Sequence, residues 1–233
     1  MANSPLGVPV DSSPAKIPQR TTLAGRLVTL VPLDPEAHGE PLYTKTHGEN
    51  TEHLWQYLFD GPFPDRAAFD ADLRRKAASE DPLFFTIVDN ASGVAVGCAA
   101  YLRIEPNHRC MEVGYILYTP EFQHTSGATE AMYFMARHAF EDLGYRRYEW
   151  KCNSLNAPSR RAALRLGFRF EGIFEQHMII KGRNRDTAWY AMLDSDWPAR
   201  RKNFEQWLSP ANFDTEGRQR TSLSSLNASS TGA

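Results

Sequence analysis

The turn Gln123-His124-Thr125-Ser126-Gly127-Ala128-Thr129 separates the strand-like run CMEVGYILY (110–118) from a run with helical spacing that reaches about residue 142. Its side chains are small or polar, and it holds no lysine. The first amides of a helix have no intrahelical acceptor and carry a partial positive charge, so such a turn can take an anion if its side chains let the anion reach the backbone. Ser126, Gly127 and Ala128 meet that condition. A nucleotide-hydrolysing loop would need Lys-Ser/Thr after its glycines, which is missing here. The alternative is simpler: Thr125 or Ser126 caps the helix and nothing binds. A second residue with chemical potential is Glu112, a carboxylate inside a strand-like run, where carboxylates are depleted. Alternation sets it opposite Met111, Val113 and Tyr115, and partial burial there would raise its pKa. Its alternative role is a strand-edge carboxylate paired with an arginine such as Arg103.

Several elements must position these residues. RLVTLVPL (26–33) reads as a strand, residues 34–48 as a helix interrupted near Pro41, and residues 65–80 as a helix capped by Asp65. LFFTIVD (83–89) and VAVGCAAYLRI (94–104), joined by Asn90-Ala91-Ser92-Gly93, form a hairpin. RYEWKCN (147–153) is a strand and APSRRAALRLG (157–167) a short helix stopped by Gly167. Residues 168–180 and 186–194 are strands around the turn at 181–185, and 197–208 is an amphipathic closing helix. Hairpins impose antiparallel pairing, whereas strand–helix–strand over 110–153 imposes a parallel crossover. The expected fold class is α+β: a mixed, mostly antiparallel twisted sheet with helices on both faces. Residues 1–20 and 211–233 lack a hydrophobic period and read as disordered flanks of a single domain, 21–210.

The ordered set GRLVTLVPLD, EVGYILY, TEAMYFMARHAFEDLGYRRYEWKC, NAPSRRAALRLGFRFEG and RDTAWYAML resembles the GNAT superfamily of N-acetyltransferases, in its RimJ/RimL-like (ribosomal-protein alanine acetyltransferase) branch. The likeness covers nearly all of residues 23–195. The turn is similar to the family's Q/R-x-x-G-x-G/A pyrophosphate motif, with Ser126 where the first glycine is expected and Gln123 leading in place of arginine. The resemblance implies the GNAT fold and an acetyl-CoA co-substrate with no metal. It implies that Gln123, His124, Thr125, Ser126, Gly127, Ala128 and Thr129 hold the diphosphate. The main chain of Ile116, Leu117 and Tyr118 would then pair with pantetheine. A tyrosine that many members carry in the helix after the parallel crossover is replaced by Ala163. The branch's N-x-x-S pattern is present instead as Asn156-Ala157-Pro158-Ser159, with Ser159 implied to lie beside the cofactor sulfur. Asn156 ahead of Pro158 is equally an ordinary helix start.

Aminolysis of a thioester needs a neutral amine, a stabilised oxyanion and a donor for the departing thiolate. An amine with a pKa near 10.4 costs about 4–5 kcal/mol to neutralise at pH 7, so a base is useful. Glu112 is the candidate base, with Glu105 as runner-up, and Ser159 the candidate donor to sulfur. Arg160, Arg161 and Arg165 are candidates for phosphate contact or for a solvated helix face. HLWQYLFDGPF (53–63) has the aromatic composition of an acceptor wall, or equally of core. The expected activity is acetyl transfer from acetyl-CoA to a primary amine, on a small molecule or a protein N-terminus, by direct transfer in a ternary complex. The alternatives are a non-catalytic acyl-CoA-binding module, a hydroxyl acceptor, or a longer acyl donor.

A formal net charge of -2 over 233 residues gives no global attraction to nucleic acid or an anionic membrane. Cys98, Cys110 and Cys152 have neither disulfide-framework nor zinc-ligand spacing, and none stands at an evident nucleophile position. With no signal-peptide pattern and no long apolar run, the expectation is a cytoplasmic monomer or homodimer with no nucleic-acid or membrane partner.

Overall fold

A computed structural model describes residues 7–229. One sheet of eight strands organises them: β1 (Leu23–Ala24), β2 (Val28–Pro32), β3 (Leu83–Asp89), β4 (Ala95–Glu105), β5 (Cys110–Tyr118), β6 (Arg147–Asn153), β7 (Arg169–Ile180) and β8 (Arg183–Leu193). The strand order is β1-β2-β3-β4-β5-β6-β8-β7, and every pairing is antiparallel except β5 with β6. The hairpin turn between β3 and β4 forms as its composition predicts, with Gly93 at φ +68° and Asp89 accepting from the Ser92 amide.

Both faces of the sheet are covered. On one, Met111, Val113, Trp150, Cys152, Ala188 and Tyr190 join a core with α3 (Ser126–Arg137) and α5 (Trp197–Leu208). On the other, Phe84, Ala95, Cys98 and Ala100 pack with Leu42, Trp55, Phe69 and Leu73, which belong to α1 (Pro35–Thr46), a 3₁₀ turn (Glu52–Trp55) and α2 (Arg66–Ala78). The alternation of side chains along each strand sorts them between the two cores. Helix α1 runs unbroken through Pro41, contrary to the expected interruption: the chain forgoes the single hydrogen bond that a proline nitrogen cannot donate. A π turn (His138–Asp142) extends α3, and α4 (Ala157–Arg165) follows β6.

The terminal segments depart from the expectation of disorder. Residues 7–20 have no regular structure, but Ala15 is buried and donates to the Pro106 carbonyl, while the Lys16 amide donates to Leu143. In the expected tail, residues 211–229 fold: Phe213 bridges Gln219, and α6 (Leu223–Ser229) buries Leu223 and Asn227. Arg200 Nη1 donates to the Asn227 carbonyl at 2.9 Å, and Asn227 Nδ2 to the Arg165 carbonyl at 2.9 Å. A few well-placed anchors fix this polar segment where a continuous apolar pattern is lacking. Residues 1–6 and 230–233 of the two expected flanks lie outside the described residues.

Candidate active site

The parallel ladder between β5 and β6 ends at Val113–Trp150. Beyond it β5 stays paired with β4 out to Tyr118–Gly97, and β6 stays paired with β8 out to Asn153–Thr187. The two strands therefore part like a fork, and Gly114–Tyr118 have no strand partner on the β6 side among the described residues. A bulge helps to open it: Cys98 faces Leu117 but Ala100 faces Gly114, and Tyr115 takes φ +51°. That bulge overrides the simple alternation expected for β5, in which Glu112 and Tyr115 were to lie on opposite faces; Met111, Glu112 and Val113 are all buried.

The fork opens into a cleft of about 1680 Å³. Ile116, Leu117 and Tyr118 line it, as do Gln123, His124, Thr125, Ser126, Ala128, Thr129, Asn156 and Ser159. Thr125 caps α3, its Oγ1 accepting from the Ala128 amide at 3.1 Å. His124, at φ +64°, turns the chain into the helix. Among the described residues nothing accepts from the main-chain N–H of His124, Ser126 or Gly127. Capping and an open amide cradle thus coexist. Arg165 extends the positive pole: its Nη1 donates to Thr129 Oγ1 at 3.1 Å, its guanidinium lies 4.8 Å over the Trp207 ring, and it forms no ion pair among the described residues.

Gly127 requires a correction. It does not line the cleft: a Cβ there would meet Phe122 at 2.9 Å and Val28 at 3.1 Å. Its missing side chain lets α3 approach β2, and only its amide is available to an anion. Arg160 is held in the framework by Tyr190 Oη and the Ser154 carbonyl, whereas Arg161 and Arg165 line the cleft.

Asn156 Oδ1 accepts from the Ser159 amide at 3.1 Å, so the helix-cap role is present. Trp150 Nε1 donates to Ser159 Oγ at 3.0 Å. With that lone pair engaged, the hydroxyl proton serves either the neighbouring Cys152 sulfur or an acceptor in the cleft. Cys152 also lines the cleft, but burial pushes its thiol pKa up, which disfavours the nucleophilic thiolate.

The other face of the sheet carries the charged groups. Glu112 is 3% exposed, and its Oε2 accepts from Arg103 Nη1 at 2.7 Å and faces Lys151 Nζ at 3.0 Å. The expected Arg103 pairing is therefore real, and Lys151 is a partner that sequence reasoning missed. Lys151 Nζ is shared with Glu149 at 2.5 Å, and Glu149 in turn with Arg147 at 2.6 Å. Burial raises the Glu112 pKa, and the two cations only partly oppose it. Oε1 makes no hydrogen bond among the described residues, and the residue lines the cleft. Glu105, the runner-up, ends β4 in an exposed position away from the cleft.

The aromatic segment 53–63 divides between core and cleft lining. Trp55 is core, 1% exposed and packed against Phe63 and Phe69, while Tyr57 and Phe59 line the cleft. Phe59 packs at a tilt against Tyr115, which lies between it and Phe84 with centroids at 5.1 Å from each. Lys76 anchors the segment from below, with Nζ 2.9 Å from Asp60 and 2.7 Å from Asp72. Also absent from the sequence reading are Arg185 and the folded C-terminal residues Phe213, Gln219 and Ser224, which line the cleft. A basic residue within a strand, as at Lys151 and Arg185, is the available signal for the first kind. Among the described residues no group of three or more metal-ligating side chains converges, and no helix is long and apolar enough to cross a membrane.

The Acetyltransferase (GNAT) domain family matches residues 28–169. A crystal structure of a GCN5-related N-acetyltransferase from Brucella melitensis is 44% identical, with a TM-score of 0.91 over 94% of this chain and 99% of that one. The uncharacterized N-acetyltransferase YnaD of Bacillus subtilis (strain 168) is 24% identical over 68% of this chain and 89% of its own length. The ribosomal-protein-serine acetyltransferase of Escherichia coli (strain K12) is 30% identical over 42% of this chain and 54% of that protein. These matches agree with the α+β architecture and with the RimJ/RimL-like branch.

Proposed function

The chain belongs to the GNAT acetyltransferase family, and from that premise we propose that it moves an acetyl group from acetyl-CoA to a primary amine by direct transfer in a ternary complex. One observation carries the reading. The β5–β6 fork joins an amide-rich, Arg165-flanked pocket on one face of the sheet to a carboxylate-bearing pocket on the other. That is the layout a two-substrate transfer requires, because each substrate enters its own half and they meet at the opening.

When bound, acetyl-CoA supplies the activated acetyl thioester. The free amides of His124, Ser126 and Gly127, with Arg165, suit a diphosphate. The unpaired edge of β5 at Ile116, Leu117 and Tyr118 suits the amides of an extended pantetheine arm, as an added strand would. An N–H of the same edge can face the carbonyl oxygen as it gains charge. Ser159, its oxygen fixed by Trp150, donates toward the sulfur as negative charge grows there. Glu112 takes the proton from the incoming amine, directly or through one water, through the oxygen that Arg103 and Lys151 leave free. Its raised pKa makes it a better proton acceptor than an exposed carboxylate.

The acceptor is a small amine or a protein N-terminus, and a cytoplasmic setting suits both. Release of CoA thiol, followed with a panel of amines and peptides and confirmed by an acetyl mass increment on the acceptor, tests the proposal. Saturable, amine-dependent release supports it. Tight CoA binding without release for any amine would instead favour an acyl-CoA-binding module without catalysis.

A further inference from the structure

Arg185, in β8, lines the same half of the cleft as Glu112 and is only 6% exposed. Residues 188 and 190 point into the core around α3 and α5, so alternation sends 185, 187 and 189 to the opposite face, with Lys151 over the Trp189 ring at 3.9 Å. The Arg185 guanidinium lies 4.8 Å over the ring of Phe59, the cleft-lining wall residue. Its surroundings set it apart from the neighbouring cations. Lys151 is satisfied by Glu112 and Glu149, Lys76 by Asp60 and Asp72, and Arg103 by Glu112. The Arg185 side chain makes no hydrogen bond and no ion pair among the described residues, Glu112 attracting it only across a longer distance, and its Nε is sealed from solvent without an acceptor.

A guanidinium removed from water and left unpaired is unfavourable unless something completes it. Held over an aromatic ring, it keeps N–H donors for a two-pronged acceptor, and a carboxylate matches that fork. The diphosphate of the acyl donor is not that group, because its cradle and Arg165 serve the other face of the sheet. We propose that Arg185 anchors a carboxylate carried by the acceptor, so that the preferred amine belongs to an amino acid or to a peptide with an acidic side chain near its N-terminus. The inference rests on reading this half of the cleft as the acceptor side of an acetyl transfer.

Two measurements separate the anchor from the transfer reading. In the first, succinate and succinamide are titrated against the full chain and against R185Q and R185K, following the melting temperature. Succinate should stabilise the native protein, R185K should respond more weakly, R185Q should not respond, and succinamide should act on none. Ligand-free R185Q should melt no lower than the native protein, because it loses an unpaired buried charge. In the second, kcat/KM is compared for 4-aminobutyrate and 4-aminobutyramide, and for peptides whose second residue is Glu or Gln. The carboxylate member of at least one pair should be favoured tenfold or more, and the pair that responds identifies the source of the carboxylate. The preference should fall to about unity in R185Q, with the KM for acetyl-CoA within twofold of native.

Succinate protection that disappears in R185Q while no amine is turned over would uphold the anchor and contradict the transfer reading. Turnover with no preference for carboxylate over amide, or succinate protection that survives in R185Q, would overturn the anchor.

Discussion

Lys151 Nζ lies 3.0 Å from Glu112 Oε2, across the two strands that separate one residue beyond their last shared pair, Val113–Trp150. The ion pair therefore sits at the crotch of the fork, and it fixes the carboxylate where the two halves of the cleft meet. Each side chain is nearly inaccessible, so the pairing is weakly screened by salt.

Glu112→Gln should lower kcat/KM by about 10²- to 10⁴-fold, the usual contribution of a positioned base. The Glu112 pKa is raised, chiefly by burial, so the native enzyme should lose activity as pH falls through that raised value and the carboxylate takes up a proton. The glutamine variant lacks that acid limb, and its activity should rise with pH as free amine becomes available. A pH series of kcat/KM for both proteins checks the difference. Identical profiles would remove Glu112 from the base role.

The same shift has a sign for stability. The folded chain holds the Glu112 proton more tightly than the unfolded chain, so this group favours the fold at low pH and loses that contribution as pH rises through the folded pKa. Between pH 4 and pH 8 the denaturant midpoint of the native protein should fall relative to that of Glu112→Gln, the other titrating groups being common to both; a difference that does not change with pH would contradict the shift.

Ser159→Ala should slow kcat and leave the acetyl-CoA dissociation constant nearly unchanged. It also orphans the partly buried Trp150 Nε1, at a stability cost of about 1–3 kcal/mol. Rapid-mixing kinetics set beside titration calorimetry separates the two effects. A large affinity loss with intact kcat would recast Ser159 as a binding residue.

Ser126→Glu and Gly127→Ala should fail in different ways. The glutamate adds a carboxylate at the open amides and should abolish CoA binding with little loss of fold. The alanine methyl meets Phe122 and Val28 instead, so it should cost about 1–3 kcal/mol of stability while the native-state affinity survives. Arg165→Gln should weaken CoA binding roughly tenfold, equivalent to about 1.4 kcal/mol. Calorimetry and urea melts on the three variants give the comparison.

Leu223→Ala should destabilise the chain by about 2–5 kcal/mol, because the leucine is fully buried in a segment that reads as a tail. Removal of residues 210–233 should cost more, since it also strips Arg200 of its Asn227 acceptors. Urea denaturation checks both. A melt unchanged by truncation would contradict the docking of α6.

Strand and helix signals were legible because hairpin turns, N-caps and crossovers have local chemistry. Asp65, Thr125 and Asn156, read as caps, all cap the helices that follow them. The turn at Gln123–Thr129 was legible as a helix start with small side chains but not in its details. A glycine that admits a ligand and a glycine that admits a neighbouring strand look alike in sequence, and Gly127 is the second kind. Glu112 stood out because a carboxylate in a strand is unusual, but its partner Lys151 comes from a strand 39 residues later in the chain and only the parallel register joins them. The C-terminal fold was hidden because its stability depends on a few buried groups, Leu223 and Asn227 among them, within a polar stretch.

A structure of the protein with CoA bound tests the central claim most directly. The account predicts diphosphate oxygens within hydrogen-bond distance of the His124, Ser126 and Gly127 amides, the pantetheine arm along Ile116–Tyr118, and the thiol beside Ser159 at the fork. CoA lodged elsewhere, or a fork occluded by protein while CoA binds, would contradict it.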